Sequence, residues 1–263
     1  MTATLSNFSY GAVTPIAAYL MATLGSALGL RCTTRSLRRP LHRARWLALG
    51  SVSFGCGIWA MHFIAMIGFD VEDAAIRYDW NQTFFSLAVV IGCVSAGMFL
   101  VGYRGRSTST LVSAGIITGN GIVTMQGLGM SAIRIDGSLH YDGSVVILTF
   151  VFTVVIATAA LWAAVSIHAL WSSMGASLIM GVAVTGMHYI GMTALTIQLN
   201  GQTATAESTS TLGFLMSVLA GPIAVLVIAT TIVMFDPDMV IGDGDWDGVA
   251  FTPRATDSVH PVR

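Results

Sequence analysis

The stretch SSMGASLIMGVAVTGMHYIGMTALTI, from Ser172 to Ile197, contains no charged residue, and its strongest polar group is the imidazole of His188. At ~1.5 Å of helical rise per residue, a run of this length exceeds the ~30 Å thickness of bilayer hydrocarbon. It predicts a membrane-crossing helix that carries one histidine between the thioethers of Met187 and Met192.

Six further runs have the same character: Tyr10 to Leu30, Trp46 to Phe69, Thr83 to Tyr103, Ser109 to Ile133, Ser144 to Ser166 and Leu212 to Phe235. The composition agrees, with 54% hydrophobic and 10% charged residues and a mean hydropathy of +0.76. Ordinary globular domains are about one quarter charged. The expectation is therefore an all-α membrane protein of seven transmembrane helices.

Orientation follows from arginine, which supplies all 12 basic residues. The segment Arg31 to Arg45 holds six of them and the connection after the third run holds Arg104 and Arg106, while the alternate connections hold only Arg77 and Arg134. The positive-inside rule places the arginine-rich connections in the cytoplasm, the N-terminus outside and the C-terminus inside. The first run has no basic residue before it and a basic block after it, so it reads as an uncleaved anchor rather than a signal peptide. Membrane lipid is the immediate partner, the arginine block meets anionic headgroups, and nucleic acid is not an expected partner.

A repeat organises the chain. Met61, Met125 and Met187 are separated by 64 and 62 residues, and each opens a Met-[His/Gln]-x-x-[Ala/Gly]-Met motif near the end of the second, fourth or sixth run. The repeating unit is a helix pair, and the three motifs reach comparable depth in the outer half of the bilayer. At ~100° per residue, His62 with Met66 and His188 with Met192 are neighbours on one helix face, whereas the opening methionine lies ~100° away and needs a different wall of any shared cavity.

An intramembrane histidine is expensive and marks a functional site by default, although it can also be a packing residue bonded to a neighbouring helix. Imidazole with several thioethers and no carboxylate favours Cu(I) among biological metals. Haem is the alternative cofactor, since two histidines, or one histidine and one methionine, are ordinary axial ligands.

The motifs MHFIAM, MQGLGM and MHYIGM, on alternate helices of a seven-span bundle, resemble those of the MHYT domain, a bacterial integral membrane sensor domain. The resemblance covers about Ser9 to Phe235. It implies copper held near the outer face of the bacterial inner membrane and sensing of oxygen, carbon monoxide or nitric oxide. Met61, His62 and Met66 match the first motif, Met125 and Met130 the second, and Met187, His188, Tyr189 and Met192 the third. The metal ligands it implies are thus His62, His188, Met61, Met66, Met125, Met130, Met187 and Met192. Gln126 departs from the family histidine, and Phe63 and Leu128 stand at or near the tyrosine positions of the first two copies.

The chain is expected to divide into a membrane sensor domain over residues 1–235 and an acidic, disordered cytoplasmic tail over residues 236–263, too short to form a catalytic domain. Its Asp243, Asp245 and Asp247 lack the later glutamate of a calcium loop. No hydrolase or transferase motif is present, so the chain is not expected to be an enzyme. The leading function is a sensory module that signals through a separate partner; a haem or copper redox protein and a copper transporter are the alternatives. Cys32, Cys56 and Cys93 do not form a disulfide framework, with Cys56 a remote ligand candidate, and His42, His140, His168 and His260 are expected in solvent.

Overall fold

Hydrocarbon offers backbone amides no water, so a spanning segment must satisfy its own hydrogen bonds, and the helix is the local solution. The computed structural model describes residues 5–6, 11–68, 70–71, 77–134, 137–167, 169–199 and 211–235. The apolar runs form α1 (Val13–Arg38), α2 (Arg43–Ile67), α3 (Trp80–Arg104), α4 (Thr108–Ser131), α5 (Gly143–Ser166), α6 (Leu170–Met192) and α7 (Thr211–Met234). All seven are long and apolar enough to cross a membrane. The tail from residue 236, including His260, and also His168 lie outside the described residues.

Two boundaries differ from the sequence expectation. The arginine block is mostly helix: α1 continues to Arg38, leaving Arg39 and a 3-10 turn over Pro40–His42 before α2. Thr33 and Ser36, both buried, donate their hydroxyls to the carbonyls of Gly29 (2.8 Å) and Thr33 (2.7 Å), and Arg35 and Arg38 complement the negative end of the helix dipole. The sixth run stops being helical at Met192, because Leu195–Leu199 pairs as a strand with Gly137–Tyr141. Alternating, partly β-branched LTIQL suits a ladder better than a helix end.

Three antiparallel two-stranded ladders stitch the motif-bearing end of the bundle: β1 (Leu5–Ser6) with β2 (Asp70–Val71), β3 (Arg77–Tyr78) with β4 (Ile133–Arg134), and β5 (Gly137–Tyr141) with β6 (Leu195–Leu199). The second and third obey the repeat. Asp79 caps α3 and donates its backbone N–H to the Ala132 carbonyl after α4 (3.0 Å); Asp142 caps α5 and does the same to Ala194 after α6 (2.9 Å). Each ladder ties the connection of one helix pair to that of the next.

Within this frame α2 is the central helix. Of its most apolar stretch 78% is buried inside the bundle, against 28% for α5. The approach of α1 to α2 is set by glycine on both sides, since a Cβ on Gly25 would stand 2.7 Å from the Gly57 Cα. Trp59 of α2 donates its indole N–H to Ser86 of α3 (2.9 Å) and packs on Phe63, with ring centroids 4.3 Å apart. Cys32 and Cys56 sit in a separate apolar cluster with Leu28 and Leu226.

Candidate metal centre

Helical spacing and central burial bring two of the three repeat positions into contact. His62 of α2 is 0% exposed and His188 of α6 is 3% exposed, and their Nδ1 atoms stand 3.1 Å apart with the rings nearly perpendicular at 89°. As a hydrogen bond, this contact needs one Nδ1 to donate and the other to accept. The Nε2 of His62 is buried with no partner among the described residues, and a Cβ on Gly129 would stand 2.5 Å from it. Buried N–H groups without an acceptor are rare. Without a ligand, His62 is therefore the donor, with its bare Nε2 toward α4.

The third repeat position joins them. Gln126 of α4, 8% exposed, donates its amide to the Met187 sulfur at 3.3 Å and lines the same cavity as both histidines. The closing methionines of the second and third motifs, Met130 and Met192, also line it. Met66 does not, and Met61, Met125 and Met187 lie in the apolar core without lining it. The opening methionines thus sit on the flank that their ~100° offset predicts.

The cavity holds about 240 Å3 and is walled by α4, α5 and α6 with the segment around β5 and β6. Two of its polar residues escaped the sequence reading. Tyr141 closes the rim from β5, and Thr149 of α5 donates its hydroxyl to the Val145 carbonyl (2.8 Å) while presenting its methyl side. Partial burial pushes the Tyr141 phenol further up from a range already well above neutral pH, and the group is a hydrogen-bond donor there. The missed signal was the dipeptide Tyr-Asp, at Tyr78-Asp79 and again at Tyr141-Asp142, which marks the same place in two copies of the repeat.

The donor set suits a soft cation. Two imidazole nitrogens 3.1 Å apart match neighbouring ligands of one ion with bonds of ~2.0 Å, whereas ligands on opposite sides would stand ~4 Å apart. The spacing thus fits a cation held from one side better than a haem iron held between two axial histidines. Met130 and Met192 supply sulfur in the same cavity. Ligation by both Nδ1 atoms would move the His62 proton to Nε2, where it lacks an acceptor, at a cost of about 1–3 kcal/mol. Metal binding of the order of 10 kcal/mol outweighs that. Among the described residues no group of three or more His, Cys, Asp or Glu side chains is placed to hold a metal ion.

The fold and this buried pair define a multi-pass membrane module built from tandem helix-pair repeats, with the histidine pair near one end and most of the arginines at the other. The MHYT repeat, described as the N-terminal repeat of bacterial signalling proteins, matches residues 55–114 and 119–177. The chain belongs to the MHYT family. The matched stretches contain the first two motifs. The bifunctional diguanylate cyclase/cyclic di-GMP phosphodiesterase MucR of Pseudomonas aeruginosa is 29% identical over 87% of this chain and 34% of its own length. The cyclic di-GMP phosphodiesterase NbdA of the same organism is 30% identical over 84% of this chain and 29% of its own. The signaling protein YkoW of Bacillus subtilis is 28% identical over 67% and 23%. The chain thus spans about a third or less of the length of these relatives. No solved structure is significantly similar.

Proposed function

We propose that this bundle is a sensory module of the bacterial inner membrane that holds copper between His62 and His188, with the thioethers of Met130 and Met192 completing a soft donor set. The 3.1 Å approach of two buried imidazoles from two copies of one repeat carries this reading. Bound copper would supply an open coordination position for oxygen, carbon monoxide or nitric oxide, or a change of redox state. The histidines hold the centre, Gly129 keeps room for the His62 ring, and Gln126 orients the Met187 sulfur.

The motif end faces outward in this reading and the arginine end faces the cytoplasm. α1 packs against α2 and α6, which carry the histidines, and also against α7. Arg35 of α1 donates to the Val233 carbonyl in the last turn of α7 (3.0 Å) while its guanidinium lies 4.9 Å from the Trp46 ring centroid. A shift at the centre thus has a packed route to the end of α7, from which it passes to a separate signalling partner. The cyclic di-GMP names of MucR and NbdA suggest cyclic-dinucleotide turnover as the class of output.

The test is the metal content and visible spectrum of protein purified without added metal. Copper near one equivalent without a Soret band supports this reading. A strong Soret band with no copper replaces it with a haem protein.

A further inference from the structure

The cavity beside the histidine pair is much larger than a diatomic gas requires. An apolar cavity of about 150 Å3 accommodates benzene, and this one holds about 240 Å3. It has room for a six-membered ring with substituents.

Its mouth opens sideways. Gly127, Tyr141 and Val146 are exposed while lining it, so it is reached between the end of α4 and the start of α5. Val146 lies in the first turn of α5 and Gly127 four residues before the end of α4. The opening therefore sits near the membrane interface, where an amphipathic tyrosine is at home.

Polar groups stand at both ends of an otherwise apolar space. At the depth is the side-chain amide of Gln126, which donates one N–H to the Met187 sulfur. Among the described residues nothing else engages the other amide N–H or the carbonyl oxygen of Gln126, and a Cβ on Gly191 would stand 3.6 Å from that oxygen. At the rim is the Tyr141 phenol. A hydrocarbon tail would leave the deep groups unsatisfied, each at a real desolvation cost, whereas a ring bearing oxygen at opposite ends can meet both. The larger cavity between α1, α2 and α7, about 380 Å3, presents only apolar surface. It offers nothing to orient such a ring.

We infer that the cavity lined by Gln126, His188 and Tyr141 is a binding site for the headgroup of a membrane-dissolved quinone or quinol, which enters from the bilayer between α4 and α5. The oxidised ring accepts from the Gln126 amide and the Tyr141 hydroxyl; the reduced ring donates to the Gln126 carbonyl oxygen. Binding alone is inferred, and it does not depend on copper at the histidines.

The experiment uses the full chain in lipid nanodiscs, stripped of metal with a chelator, and titrates it with a short-tail benzoquinone analogue. A benzene bearing the same tail without ring oxygens is the control. Saturable binding of one equivalent is expected, at least tenfold tighter than the control. Gly127→Phe and Val146→Trp, which obstruct the mouth from opposite helices, should each weaken it tenfold or more. Gly127 is suited because a Cβ there meets nothing within 4 Å, and Gly92→Phe, at an equally open site on α3, should leave binding unchanged. Gln126→Leu should remove the preference over the oxygen-free ring. Absence of saturable binding, equal binding of the two rings by the wild type, or full affinity in both mouth variants would overturn the inference. Because the protein is metal-free, failure here leaves the copper reading intact, and failure of copper binding leaves this result intact.

Discussion

Gly129 lies against the His62 ring so closely that a Cβ on it would stand 2.5 Å from Nε2. No side chain keeps that distance, so Gly129→Ala must rotate the imidazole or push α4 away from α2. The histidine pair then loses its 3.1 Å spacing although both ligands remain. Copper affinity should fall by about 10–100-fold, the effect usual for groups that orient a ligand. Gly127→Ala, which meets open space, should bind copper like the wild type. Equal titrations of the two variants would show that Gly129 does not position the ring.

Gln126→His restores the imidazole found at the same position of the other two motifs. Its side chain enters the cavity that His62 and His188 already share. Imidazole is a better ligand than a carboxamide for a soft cation, so copper affinity should hold or rise. A competition titration against a Cu(I) chelator measures this. A fall below wild type would mean that the Gln126 contact with the Met187 sulfur matters more than the added ligand.

The two aspartate caps predict a stability effect that copies itself across the repeat. Asp142 accepts from the backbone N–H groups of Ser144 (2.8 Å) and Val145 (3.4 Å), and Asp79 accepts from Asn81 and Gln82 in the same way. Asp142→Ala and Asp79→Ala should each cost about 1 kcal/mol. Because the two caps sit on different helices and share none of their described partners, the double variant should cost nearly the sum. Thermal unfolding in detergent reads the effect, and a neutral pair would mean that the ladders hold these connections unaided.

Orientation is tested by reporters active only in the cytoplasm. Fused after Arg263 or inserted in the turn Pro40–His42 they should be active, and inserted near Gln202 they should be silent. The reverse pattern would place the histidine end of the bundle at the inner face.

The spans and the repeat were legible because uncharged runs and recurring motifs are properties of sequence alone. Residues that meet across helices were not. His62, Gln126 and His188 share a motif position, which implied convergence, but which methionine accompanies them depends on helix rotation, and only Met130 and Met192 reach the cavity. The ladders escaped because each strand is short and its partner lies 54–66 residues away. Leu195–Leu199 was hidden at the end of an apolar run whose hydropathy does not distinguish strand from helix. The helical part of the arginine block was obscured because positive charge marks a membrane boundary without ending a helix.

The most direct measurement is the copper stoichiometry of purified wild type, His62→Ala, His188→Ala and the double variant, all inserted at comparable levels, with His42→Ala and His140→Ala as controls. If the two imidazoles hold one ion together, each single variant should lose most of the copper, the double variant should lose no more than either, and the controls should keep all of it. Full copper in both single variants would contradict this, and would leave His62 and His188 as a hydrogen-bonded pair in the core.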